Sequence, residues 1–251
     1  MCPAWLTSVC VGGLYPHTRE DLTRWQVGLG YNIFTVSHIV PDLVDNAFTT
    51  QTTLGELLAT QLCQSDAPRL WVAAAYFNLD GLERLGDALE TVQELRLLIG
   101  AEPDQEFLLT QRLWRELERN LALISPRAQQ MLERWSAFLR QDKVQVRSHK
   151  PRERGRVLHG KAYLLLGVPQ FGDLGVIGSS NFTGAGLTAN LELNAILKQQ
   201  SATDALKQWY EAVWEKSEDY KKELLRLLTE FTNALHRKSD GATRRNGRAR
   251  T

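Results

Sequence analysis

His159 and Lys161 stand two residues apart, just ahead of the apolar run Ala162-Tyr163-Leu164-Leu165-Leu166. On a strand that spacing puts both side chains on one face. Polar groups at the mouth of a segment fit for burial need partners or a job. Farther along, a glycine turn reads Gly178-Ser179-Ser180-Asn181, and Asn190-Leu191-Glu192 follows it. A neutral imidazole attacks phosphorus when one ring nitrogen is free and the other is held by an acceptor. His159 is the candidate nucleophile, and Glu192 is the candidate orienting carboxylate, as in the third member of a triad. Lys161 supplies a fixed positive charge for a phosphoryl oxygen, with donors from Ser179 and Asn181 beside it. The turn around Ser180 adds backbone N–H groups close to an anion, which glycine permits. No cluster has metal-ligand spacing, so the attack is expected to need no metal and no cofactor.

The 251 residues carry 30 Lys and Arg against 29 Asp and Glu, so there is no global signal for a polyanion partner. Local charge says more. Arg147, His149, Lys150, Arg152, Arg154 and Arg156 crowd the residues before His159. Of these, Lys150, Arg154 and Arg156 are the candidate substrate-binding set, a phosphate track beside the nucleophile. A second basic run, Arg237 to Arg250, closes the chain and reads as a solvated, disordered tail over 236–251. Three cysteines, at 2, 10 and 63, lack metal spacing and an even count, and fit a reduced compartment. The start has no basic leader, and no apolar run is long enough to cross a membrane. A cytoplasmic protein with no membrane partner is expected.

The elements that must position these groups follow from pattern. Residues 1–37 are an arm of unclear structure. Thr53 with Glu56 three residues on, before Leu54, Leu57, Leu58 and Leu62, is a capping-box start to an amphipathic helix. Arg69 to Phe77 reads as a buried strand, Leu79 to Val92 as a helix, and Glu94 to Gly100 as a second strand. Strand, helix, strand in that length is a βαβ unit with a parallel pair. Asp104 to Arg140 holds one or two helices, with Trp114 and Trp135 as core aromatics. Short strands are expected at 143–147, 157–166, 173–177 and 191–197, with a tight turn over 178–186. A closing helical region spans 204–235, where Trp209 and Trp214 are expected to pack.

His159-x-Lys161 followed by Gly178-Ser179-x-Asn181 resembles the signature of the phospholipase D superfamily. Asn190-x-Glu192 is similar to the acidic element that follows it in the small endonucleases of that superfamily. The likeness is specific from 157 to 197 and looser over 54–100, where the strands resemble helicase-linked and restriction-type members. The resemblance implies an α/β fold: a phospholipase D-like mixed sheet flanked by helices on both faces, over 38–235. It also implies a phosphohistidine on His159, with Lys161, Ser179 and Asn181 holding the phosphate and Glu192 orienting the imidazole. Members use two motifs per active site. A chain with one therefore implies a homodimer with one His from each copy. One position departs: the family carries Asp five residues after the Lys, and here Leu166 stands there.

Three functions compete. The first is a metal-independent phosphodiesterase, endonuclease-like, acting on nucleic acid. The second is a weak or inactive module that binds nucleic acid or dimerises beside a helicase or restriction partner. The third is a phospholipid phosphodiesterase. The basic residues before His159 favour the first.

Overall fold

A run such as Leu70 to Ala74 is stable as a strand only when both of its faces are covered. That requirement organises the chain. The computed structural model describes residues 40–47, 52–100, 126–150 and 157–248. The chain divides into two units, 1–41 and 42–251, and the second carries all the described elements. Its strands are β1 (Leu43–Val44), β2 (Arg69–Ala74), β3 (Glu94–Gly100), β4 (Val144–His149), β5 (Lys161–Val168), β6 (Gly172–Gly178), β7 (Asn194–Leu197) and β8 (Glu218–Asp219). They form one sheet in the order β1-β7-β6-β5-β2-β3-β4-β8. β3 runs parallel to both β2 and β4, and the other pairings are antiparallel.

The helices are α1 (Leu54–Gln64), α2 (Leu79–Leu85), α3 (Pro126–Arg140), α4 (Gly184–Thr188), α5 (Gln200–Glu215) and α6 (Lys221–Arg248). Side chains alternate along each strand, so neighbours across the ladder share a face. Trp71, Ala73, Leu98, Ala162, Leu164 and Leu166 share one face and meet Leu206, Tyr210 and Trp214 of α5. Leu70, Val72, Leu95, Leu97, Tyr163 and Leu165 are buried on the other, where α1 packs on β5. Each such aliphatic side chain contributes about 1.5–3 kcal/mol on burial. The sheet is thus mixed and covered by helices on both faces, as the sequence implies.

Thr53 Oγ1 accepts the Glu56 amide at 3.2 Å, and Glu56 Oε2 accepts the Thr53 amide at 2.8 Å, closing the capping box. Trp135 is fully buried, as expected of a core aromatic. Several boundaries differ for identifiable reasons. The helix expected to reach 92 stops at Leu85, because Gly86 takes φ 51°, and a 3₁₀ turn follows over Gly86–Thr91. The strand expected from 157 begins at Lys161 and the one from 191 begins at Asn194, so His159 and Glu192 lie in loops at strand mouths. The turn over 178–186 ends in helix α4, capped by Thr183 Oγ1 on the Gly186 amide at 3.0 Å. The closing helix continues through Arg248, across residues expected to form a disordered tail from 236. The arm over 1–37, Trp114, Arg152, Arg154 and Arg156 lie outside the described residues.

Candidate active site

β2, β3 and β4 are parallel, so their carboxyl ends meet at one rim of the sheet, the place where open α/β sheets bind ligands. The antiparallel β5 starts at that rim, and β6 ends there, with Lys161 opposite Gly178. His159 reaches the rim on a segment that crosses β3. A Cβ on Gly100 would stand 2.5 Å from the Leu158 carbonyl and 3.3 Å from Ala75 Cα. Gly100 therefore sets the height at which the chain passes over β3 and delivers His159.

Lys161 is buried, at 7 % exposure. Its Nζ donates to the His159 carbonyl at 2.7 Å and lies 3.1 Å from His159 Nδ1 and 3.3 Å from Nε2. An ammonium has no lone pair, so the ring nitrogen that it bonds is the unprotonated one. Burial lowers the Lys161 pKa, and the Glu192 carboxylate acts in the opposite sense.

On the neighbouring turn, Ser179 Oγ donates to Glu192 Oε2 and accepts the Leu193 amide at 3.0 Å. Asn190 Nδ2 donates to Glu192 Oε1 at 3.3 Å. Glu192 is thus held by Ser179 and Asn190. Among the described residues it has no hydrogen bond to His159, so the expected direct orientation of the imidazole is not what the geometry shows. Its charge nevertheless reaches Lys161. Asn181 Oδ1 accepts the Tyr76 amide at 3.1 Å, which ties this turn to the end of β2.

Ser180 departs from expectation. It is fully buried, and its Oγ accepts Asn194 Nδ2 at 3.0 Å. Asn194 Nδ2 also donates to the Val44 carbonyl at 3.2 Å, and its Oδ1 accepts the Ser180 amide at 3.4 Å. Tyr163 donates its hydroxyl to the Ser180 carbonyl at 2.9 Å. Ser180 is the anchor of the turn, and Ser179 is the residue that the turn presents. Asn194 was missed, although a lone amide in Leu193-Asn194-Ala195-Ile196-Leu197 is the kind of polar residue that a buried strand must explain.

Lys150 pairs with Glu218 at 3.1 Å, on the far side of β4 from the turn. Leu166 is fully buried among Trp71, Leu164, Leu206 and Tyr210. The carboxylate absent there is present across the ladder. Asp173 faces Leu166 in register, accepts the Gly167 amide at 3.3 Å and lies 3.8 Å from Lys207. Trp209, expected to pack, is 38 % exposed, whereas Trp214 is buried.

The family described as "Cardiolipin synthase, PLD-like domain" matches residues 60–214, which contain His159, Lys161, Ser179, Asn181 and Glu192. This chain belongs to the phospholipase D-like family. The superfamily is one of phosphodiesterases and nucleases. No curated protein matches the chain. Among solved structures, NucT from Helicobacter pylori is similar at 10 % identity and TM-score 0.41, over 65 % of this chain and 88 % of its own. Nuc from Salmonella typhimurium, a phospholipase D family member, shows 14 % identity and TM-score 0.39 over the same shares. A phosphatidylserine synthase from Haemophilus influenzae Rd KW20 shows 12 % identity and TM-score 0.44, over 83 % of this chain and 47 % of its own. Among the described residues, no helix is long and apolar enough to cross a membrane.

Proposed function

We propose that this chain is a phosphodiesterase that hydrolyses nucleic acid without a metal, through a phosphohistidine on His159. The observation that carries the reading is the buried Lys161 ammonium, whose partners are the carbonyl and ring of His159. A cation kept out of water beside a nucleophile is a ready anion site. An entering phosphate replaces the imidazole as the acceptor of Lys161 and frees the ring lone pair. That nitrogen then attacks phosphorus: a P–N bond forms, the P–O bond to the leaving alcohol breaks, and the alcohol oxygen takes a proton. Water next attacks phosphorus, gives its proton to the group that protonated the alcohol and breaks the P–N bond, leaving a phosphomonoester and restoring the imidazole. Ser179 and Asn181 steady the non-bridging oxygens. Glu192 acts through Ser179 and through its field on Lys161.

The proton donor to the leaving alcohol is the His159 of a second copy, so the full site belongs to a homodimer. Surface chemistry supports this. Tyr76, Val157, Leu191 and Leu193 are exposed large hydrophobics, and each lies next to a site residue in chain or contact. Clustered exposed apolar side chains mark interaction surfaces. Arg154 and Arg156, just ahead of His159 in sequence, supply the phosphate track without Lys150, which is paired to Glu218, and a helicase or restriction system is a fitting partner for such an enzyme.

The test is cleavage of labelled DNA and RNA in EDTA by the wild type and by His159→Ala. The wild type is expected to cut in chelator, and the variant to lose at least about 10³-fold, the scale of losing a nucleophile. Binding without cutting would leave a recognition module. Cleavage of phosphatidylglycerol vesicles, with none of nucleic acid, would make the substrate a lipid.

A further inference from the structure

A cleft of about 560 Å³ adjoins the site, within the roughly 300–1,000 Å³ typical of small-ligand pockets. Its walls come from the mouths of β5 and β6 (Gly160, Lys161, Ile177, Gly178) and from α5 (Ala202, Ala205, Trp209). Two of these, Gly160 and Gly178, are chain neighbours of His159 and Ser179. At Gly160 the absence of a side chain has a visible use. A Cβ there would lie 3.3 Å from Trp209 Cη2 and 3.4 Å from Cζ2, so the indole rests on the backbone between His159 and Lys161. The indole is 38 % exposed, and Ile177 beside it is 44 % exposed. Helix α5 thus places a flat aromatic ring in water, one strand thickness from the proposed nucleophile.

We infer that this cleft receives the base next to the scissile phosphate, stacked on Trp209, and that the substrate strand is single at that point. This rests on the nucleic-acid reading above. Mostly glycine and alanine under one indole make a shallow, open slot. That suits a rigid plane with polar edges left in water. An acyl chain buried there would keep much of its flank wet. Base–indole stacking needs no particular hydrogen-bonding edge, so little sequence preference follows. A base paired in a duplex has no free face to offer, which makes an unpaired nucleotide the ligand.

The experiment uses the full chain and a labelled single-stranded oligonucleotide, with and without an abasic residue walked along it. Trp209→Ala is expected to raise KM about tenfold at nearly unchanged kcat, the scale of one lost base–aromatic stack. Trp209→Phe is expected to stay within about threefold, since a smaller ring still stacks. For the wild type, one abasic position should cost as much as Trp209→Ala, and the variant should lose nothing further there. Equal losses by Trp209→Ala on base-bearing and abasic strands, or equal cutting of duplex and single strand by the wild type, overturns the inference while the nuclease reading stands. Trp209-dependent hydrolysis of phosphatidylglycerol vesicles instead would place an acyl chain in the cleft and overturn it too. A wild type that cuts no nucleic acid overturns the parent reading and this one with it.

Discussion

At the scale of single residues, Lys161 decides how the site responds to pH. Burial favours its neutral amine, and Glu192 only partly offsets that, so its pKa lies below the ordinary lysine value. The folded chain therefore releases this proton at a lower pH than the unfolded chain does. Between the two values the unfolded state holds more protons, so stability rises with pH across that window, while the cost of the buried ammonium is fully present below it. Phosphate binding moves the other way, because the neutral amine no longer attracts the anion. The alkaline limb of kcat/KM should begin below the usual lysine range. Lys161→Arg, whose guanidinium stays charged, should be less active overall but lose that limb. A pH–rate profile with an unmoved limb in the variant would assign the titration to another group. What the structure adds is their placement: His159, Lys161, Ser179, Asn181 and Glu192 all come to one rim of the sheet. What the letters did not show was which of two adjacent serines is presented. Ser179 and Ser180 are chemically equal, and only the buried amide of Asn194, brought in by β7, takes one of them out of reach. Leu166 is similar: in sequence it is a missing acid, while in the fold it is a core side chain with a carboxylate, Asp173, opposite it.

At the scale of elements, signals within a few residues of each other were readable and those set across the fold were not. The Thr53 capping box, the strands at 69 and 94 and the buried Trp135 follow from short-range pattern and apolar runs. The start of β5 does not. Alternation predicts a strand from 157, but residues 157–160 lie across Gly100 and under Trp209, contacts made by β3 and α5. Gly100 is therefore the element-level determinant of the site. Gly100→Ala would drive a methyl into the Leu158 carbonyl, at a cost of about 1–3 kcal/mol for overpacking. Because the displaced segment carries His159, kcat should fall by more than the lost stability explains. Ser65→Ala is the control. It removes the hydrogen bond from Ser65 Oγ to the Gln61 carbonyl at the other end of α1, ahead of the start of β2, a loss of about 1 kcal/mol, and should lower Tm without changing kcat. Thermal melts and steady-state rates on the two variants separate the effects. Equal rate losses in both would mean that Gly100 matters only for stability.

At the scale of the whole molecule, Tyr76, Val157, Leu191 and Leu193 leave large apolar side chains exposed near the proposed site. Leu191 and Leu193 flank Glu192 at 69 % and 61 % exposure. In a lone chain, residues so exposed contribute little to folding, and replacing them with Asp should leave Tm nearly unchanged. In a dimer that shares its site, the same change puts unpaired carboxylates into a desolvated contact, which costs several kcal/mol per copy, or roughly 10² to 10⁴ in the association constant. The paired substitution Leu191→Asp with Leu193→Asp is thus expected to shift the mass in solution from twice 28.4 kDa to 28.4 kDa. Cutting should vanish with the shift, although His159, Lys161 and Ser179 are untouched. A second measurement guards against direct damage to Glu192. Titrating His159→Ala into the wild type should depress its activity, because mixed dimers hold one imidazole where the chemistry uses two. A wild type that sediments as a monomer and still cuts, or a mixture whose activity simply tracks the wild-type fraction, would place both proton donor and nucleophile within one chain.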